Sequence, residues 1–319
     1  MHASSRPGTG LLCLVASGLL WGTGGLTGSL LGRVTGLSAL SVAACRLTAG
    51  GLLIVAFLIV TGRRWPAGRA AWTRIAVIGA LAAAYQSCYF VAVSLTSVAL
   101  ATLVTIGTAP LIVLGVRRVT GHRTGRRAPV AACLALTGLG LLVGLPSGFS
   151  ETSVLASTGM AVLAAAGFAT ITLTGTRPVP GLDDLTVTGF GFTVGGLALM
   201  PVAAALGGLT FRPSPEAIGL LIALGTGPTA VAYTWYFRGL RAATASTGAL
   251  LTLLEPLTGT ILAAFILGQR LSAAGIAGAA VLVVAVVTTV LDADRDGKAG
   301  PRREVSRIGR ISSPAGSGR

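Results

Sequence analysis

The sequence predicts an all-α integral membrane protein of ten transmembrane helices, arranged as two inverted five-helix repeats. Three observations predict it. Of 319 residues, 53% are hydrophobic and 10% charged, with a mean hydropathy of +0.83; a soluble domain carries roughly 25% charged residues. Apolar runs of about 20 residues, the length that crosses a hydrocarbon core, recur along the whole chain. The basic residues gather in alternate connectors instead of on one polar face.

The spans fall at 10–31, 37–60, 74–94, 98–116, 128–145, 157–176, 185–207, 216–237, 246–267 and 273–291. Backbone groups in lipid find no water, so each span must satisfy its own hydrogen bonds as a helix. The first run follows Arg6 and has the basic start of a signal peptide. It continues to Leu31 without a small-residue cleavage site, and further spans follow, so it reads as an uncleaved first helix. Residues 1–9 form a short tail before it. Connectors are short, and none is long enough for a separate soluble domain.

Lys and Arg orient the bundle. With the N-terminus in the cytoplasm, 20 of the 24 basic residues lie on the inner side. They include Arg63, Arg64, Arg69 and Arg74 in one connector, and Arg117, Arg118, Arg123, Arg126 and Arg127 in another. Arg6, Arg177, Arg238, Arg241 and seven tail residues complete the set. Only Arg33, Arg212 and Arg270 fall outside, and Arg46 lies within a span. This bias places both termini on the cytoplasmic side of an inner or plasma membrane. Trp65 and Trp72 suit interfacial anchors. Residues 292–319 are rich in Arg, Asp, Gly, Ser and Pro. That composition predicts a disordered, basic cytoplasmic tail, which anionic lipid would attract.

The same composition excludes other classes. The formal charge is +15, but it is spread over connectors and tail, so nucleic-acid binding is not expected. Cys13, Cys45, Cys88 and Cys133 form no CxxC pair and read as small buried hydrophobes. His2 and His122 lie far apart outside the spans, so no metal site is expected. No cofactor motif occurs, and the absence of a phosphate-binding loop argues against direct ATP drive. Glu255 is the only acid in the interior of a span, Glu216 standing at a span edge, and no histidine lies in one. A general acid/base pair cannot be assembled, so the chain is not expected to be an enzyme.

The two halves echo each other. Tyr89-Phe90 precedes Pro110, and Tyr236-Phe237 precedes Pro256 at nearly the same interval. Gly121-His122-Arg123 follows the first proline, and Gly268-Gln269-Arg270 follows the second. Five spans per half means that the second copy enters from the opposite face, which is the inverted repeat of many alternating-access carriers. Glycine is abundant, at 46 residues. Gly18 and Gly22, then Gly24, Gly28 and Gly32, recur every four residues in the first span, as do Gly191 and Gly195 in the seventh. That spacing predicts close helix packing.

Arg46 and Glu255 are the only charges away from the span ends, each within roughly 5 Å of its span's centre. Charge at that depth is costly and usually lines a cavity or pathway. Both are therefore expected to face a central cavity, with Glu255 taking a proton or a cationic group. The alternative for each is a static ion pair or helix-end partner. Trp21, Tyr85, Tyr89, Tyr233, Trp235 and Tyr236 suit the wall of a mixed apolar and polar pocket; helix packing is the alternative. Thr105 and Thr108 precede Pro110 and offer hydroxyls to a ligand or to their own backbone. Pro110 and Pro256 are expected to kink their helices and serve gating.

Several motifs occur in order across both halves. They are Leu19-Leu20-Trp21-Gly22, Cys45-Arg46-Leu47, Tyr89-Phe90 with Thr96-Ser97 and Pro110, Leu254-Glu255-Pro256-Leu257, and Gly268-Gln269-Arg270. With them the chain resembles the drug/metabolite transporter superfamily, specifically its ten-helix EamA-type members. The resemblance covers residues 10–291, with repeats at 10–145 and 157–291. Family members often carry Gly-Glu-Arg after each proline-bearing helix; here His122 and Gln269 replace the acid. The resemblance implies a secondary transporter that moves a small metabolite or drug-like molecule by alternating access, with export the favoured direction. Its partners would be that small-molecule substrate, the lipid bilayer and protons as coupling ion, and both monomer and homodimer stay open. A lipid flippase of the same fold and a non-transporting membrane sensor or scaffold are the alternatives.

Overall fold

The computed structural model describes residues 7–63, 65–121, 127–144, 148–268 and 271–311, with side chains described except at 7, 8, 207, 267 and 294–311. His122 and Gln269 lie outside the described residues. The helices are α1 Pro7–Thr35, α2 Ala39–Val60, α3 Arg69–Leu95, α4 Val98–Val119, α5 Arg127–Val143 and α6 Glu151–Gly175. They continue with α7 Asp184–Gly207, α8 Pro215–Gly225, α9 Ala232–Ala242, α10 Ala245–Leu251, α11 Leu254–Leu267 and α12 Ala273–Ile311.

Among the described residues, nine helical stretches are long and apolar enough to cross a membrane, and α5 is a shorter apolar helix of 17 residues. At 1.5 Å per residue, α5 still spans about 26 Å, close to the thickness of a hydrocarbon core. Together they make ten crossings. α8 and α9 form one crossing, joined by a π-helical turn at Thr226–Val231, and α10 with α11 forms another. An even number of crossings brings both chain ends to one face, called the terminal face below.

Local chemistry starts most of these helices. Ser38, Ser97, Ser150, Asp183, Ser214 and Thr244 each accept a hydrogen bond from a backbone N–H in the first turn. Such caps satisfy donors that the helix itself leaves open.

Tight crossings follow the glycines. α2 packs on α7, α3 on α6 and α7, α5 on α12, and α1 on α9 and α11. A Cβ on Gly195 would lie 2.7 Å from the Gly79 carbonyl oxygen, and one on Gly138 would lie 2.9 Å from that of Gly278. Only small residues let backbones approach this closely. Gly18 packs against α11 at Leu254, and Gly22 against Thr258.

The expected proline kinks are not matched between the halves. α4 runs unbroken through Pro110, which is buried. Proline is tolerated inside a membrane helix when neighbours and side chains supply the freed carbonyl. Pro256 instead sits in the first turn of α11, where its missing N–H costs no helix bond. The chain breaks just before it, at Thr252–Leu253, with the Thr252 hydroxyl donating to the Ala249 carbonyl at 2.7 Å.

The π turn has its own cause. Pro228 cannot donate to the Leu224 carbonyl four residues back. The Thr229 hydroxyl donates to that oxygen instead, at 2.8 Å. The backbone of the expected tail is described as far as Ile311. The α12 backbone stays helical to Ile311. A helix already nucleated extends at one bond per residue, and Arg127 Nη1 holds Asp292 Oδ1 at 2.8 Å where the tail begins. Residues 312–319 lie outside the described residues.

Candidate functional site

Between α1, α2, α3, α4 and α11 lies a cavity of about 350 Å³. Its wall is built from residue spacing. On α1, Gly24, Gly25, Gly28 and Gly32 face it one turn apart. A Cβ on Gly25 would meet nothing within 4 Å, so the wall is open there, whereas one on Gly24 would lie 3.1 Å from Pro228 Cβ and one on Gly32 3.4 Å from the Leu37 carbonyl oxygen. Of the glycines expected to pack, Gly18, Gly22 and Gly24 meet close neighbours and Gly28 and Gly32 stand at ordinary contact distance; Gly25, outside that spacing, is the one that opens the wall. Tyr85, Gln86, Tyr89 and Phe90 of α3 form the opposite wall, with Thr102 and Ile106 of α4 beside them. The Tyr89 hydroxyl and Thr102 Oγ1 share a hydrogen bond of 2.7 Å, which fixes that ring.

The floor carries the charge. Arg46 of α2 and Glu255 of α11 both line the cavity, with Trp21 between their helices. They also line a smaller void of about 20 Å³ beneath, with Tyr85, Thr105, Phe168, Tyr233 and Thr252. Glu255 occupies the first turn of α11, directly after the break. A helix N-terminus is the end that favours a negative charge, so the break at Thr252–Leu253 stabilises a carboxylate at this depth. No ion pair joins Arg46 to Glu255 among the described residues; the pairs present are Arg63–Asp183, Arg127–Asp292 and Arg241–Asp184. The two charges thus share a cavity and leave each other's hydrogen-bonding capacity free.

Among the described residues, the lining of the cavity reaches toward one end of the bundle. Its lining climbs to Leu37 and Ala39 at the α1–α2 turn and to Val98 at the start of α4. Those positions lie at the face opposite the termini. Toward the terminal face the path is shut by rings. Trp21 stands 4.8 Å from Tyr233, 4.9 Å from Tyr236 and 6.0 Å from Phe168 between ring centroids. The Tyr236 hydroxyl and Thr172 Oγ1 share a 2.7 Å bond. Below the rings, Arg241 Nε pairs with Asp184 Oδ1 at 2.7 Å, and Arg74 donates to the Thr174 and Arg177 carbonyls. This layer ties α3, α6, α7 and α9 together.

The residues expected at the site divide accordingly. Trp21, Arg46, Tyr85, Tyr89 and Glu255 meet around the main cavity. Tyr233 and Thr105 line only the void beneath it, and the Thr105 hydroxyl donates to the Ala161 carbonyl at 3.2 Å. Tyr236 is in the ring seal. Trp235 is corrected: it is 38% exposed on the outer surface of α9 and lines neither void. Thr108 is half-buried and lines neither void, and Pro110 and Pro256 do not line them either. Sequence reasoning missed Gln86, Phe90, Thr102 and the glycine wall. Gln86 had a signal, a lone amide one residue after Tyr85 inside an apolar span.

Membrane-length helices surrounding a polar-floored cavity define the class: a multi-pass helical membrane protein that can take a small molecule between its helices. The profile of the EamA-like transporter family matches residues 8–144 and 156–291, one match per half. The chain belongs to that family and is a membrane transporter of ten helices in two repeats. It is similar to the uncharacterized transporter YwfM of Bacillus subtilis (28% identical, covering 87% of this chain and 92% of that protein). It is also similar to the uncharacterized inner membrane transporter YicL of Salmonella typhimurium (24% identical, covering 91% and 98%). A crystal structure with a TM-score of 0.76 and 24% identity, covering 91% of this chain and all of that one, shares the fold.

Proposed function

We propose that this protein is a secondary transporter that exports a small metabolite or drug-like molecule across the cytoplasmic membrane by alternating access, with both termini in the cytoplasm and no catalytic step. One observation carries the reading: the cavity reaches one face and ends at mid-depth on Arg46 and Glu255. A pathway with a charged floor, closed on one side by packed rings and an ion pair, is half of an alternating-access cycle. The basic connectors put the closed face in the cytoplasm, so the conformation is outward-open. Opening the other face requires the α7–α9 tie at Asp184–Arg241 to separate and the Trp21 cluster to part. Export is the direction that the superfamily resemblance favours, and Glu255 is the group that a proton would use.

Everted membrane vesicles test this. Amino acids, purine-like metabolites and cationic drugs are screened for accumulation with and without a pH gradient. At least one class is expected to accumulate, and to be lost when the gradient is collapsed. Accumulation equal to that of vesicles lacking the protein, across every class, overturns the reading. So does scrambling of a fluorescent phospholipid with no solute uptake.

A further inference from the structure

Resting on the transporter reading, we infer that the cavity floor is a carboxylate-binding subsite, and that the passenger is a small organic acid whose carboxylate is received by Arg46, Gln86 and Trp21. Three buried nitrogens carry this: Trp21 Nε1, Arg46 Nε and Gln86 Nε2 have no hydrogen-bond partner among the described residues. All three residues line the same cavity. Trp21 is 5% exposed and Gln86 2% exposed, so water at the protein surface does not serve them. Buried polar groups are nearly always paired, and each exception calls for an explanation.

The three share one chemistry. Each is an N–H, and each asks for an acceptor. They come from three helices, α1, α2 and α3, so no single local strain accounts for the set. Arg46 adds a positive charge and a planar fork of donors that matches a carboxylate in two-point geometry. Its guanidinium also reaches α1, since a Cβ on Gly24 would lie 3.7 Å from Arg46 Nη1. No carboxylate of this chain pairs with it within the described residues. An amine would meet three donors and a cation, and only Glu255 would favour it. A carboxylate is the head group that accepts from such donors and balances the Arg46 charge.

The rest of the cavity sets the body of the ligand. Tyr85, Tyr89 and Phe90 offer ring faces on one side, and Gly25 of α1 leaves open space on the other. A volume of about 350 Å³ lies at the small end of the range for ligand pockets. The fitting passenger is a compact acid with an apolar or aromatic body.

Three probes with one skeleton separate the head groups: 3-phenylpropanoate, 3-phenylpropanamide and 3-phenylpropan-1-amine. Binding is measured by titration calorimetry on the full chain in nanodiscs. The carboxylate is expected to bind at least about tenfold more tightly than either neutral or cationic partner, and each tenfold is one factor in the dissociation constant. Arg46→Gln and Gln86→Glu are each expected to remove that preference, the second by placing a negative charge where the amide stood. Trp21→Phe keeps the ring and loses the N–H, and is expected to weaken the carboxylate about threefold or more while leaving the amide unchanged. Thermal melts and monodispersity show that each variant is folded; the wild-type preference needs no variant at all. Equal binding of the three probes, tighter binding of the amine, or no binding of the carboxylate overturns the proposal. Carboxylate preference in a protein that moves no solute would sink the transport reading and leave the subsite. Solute flux with a preference for amines would do the reverse.

Discussion

Gly25→Leu is expected to stop transport without disturbing the fold. A Cβ at Gly25 meets nothing within 4 Å, so the new side chain starts in open space. It projects from α1 into the cavity between the Trp21 floor and the mouth at Leu37. A passenger must then share that space with four extra carbon atoms. Flux in vesicles is expected to fall at least about tenfold, equivalent to about 1.4 kcal/mol against the bound state. The melting temperature should stay within a few degrees of wild type. Gly22→Leu is the instructive partner. There the Cβ collides with Thr258, so the same residue pries α1 from α11 and destabilises the bundle. Overpacking of that kind costs about 1–3 kcal/mol or more. Full flux in Gly25→Leu would mean that the passenger takes another route.

Glu255→Gln is expected to uncouple transport from the proton gradient. The amide keeps the shape of the carboxyl group, and α11 keeps its first turn. What is lost is the only acid lining the cavity among the described residues. A gradient of one pH unit supplies about 1.4 kcal/mol per proton, enough for about tenfold accumulation. Without a group to carry the proton, the accumulation ratio should fall to about one, while exchange of substrate across the membrane persists. Undiminished gradient-driven accumulation in Glu255→Gln removes the coupling role and leaves Glu255 as a partner for the substrate alone.

The sequence showed the bundle more clearly than the site. Span lengths and the Arg distribution predict ten crossings because lipid imposes them on every segment alike. Arg46 and Glu255 stood out for the same reason, since charge at mid-depth has few places to go. The wall was harder to read. In a membrane helix both the lipid face and the packed face are apolar, so hydrophobic periodicity does not say which way Trp235 turns. It turns outward, while Trp21, with similar surroundings in sequence, turns inward.

Glycine spacing was ambiguous too. Gly18 and Gly22 touch α11, and less than one turn further on Gly25 touches nothing. The difference comes from where neighbouring helices run. Proline was misleading in the same way. Pro110 and Pro256 hold matching places in the repeat, yet only the second adjoins a break. A proline removes one donor; whether the helix opens depends on what else reaches the freed carbonyl. The unmarked Pro228 had the larger effect on its helix, through Thr229 and the Leu224 carbonyl.

The account rests on a cavity open to the face opposite the termini, and cysteine accessibility tests that most directly. In a background with Cys13, Cys45, Cys88 and Cys133 replaced by alanine, Gly28→Cys places a thiol in the cavity wall, and Gly159→Cys places one at similar depth on the exposed surface of α6. A membrane-impermeant maleimide is added to intact cells. The account predicts that Gly28→Cys is labelled from outside and Gly159→Cys, facing lipid, is not. An unreactive Gly28→Cys, or equal labelling at the two positions, would contradict it.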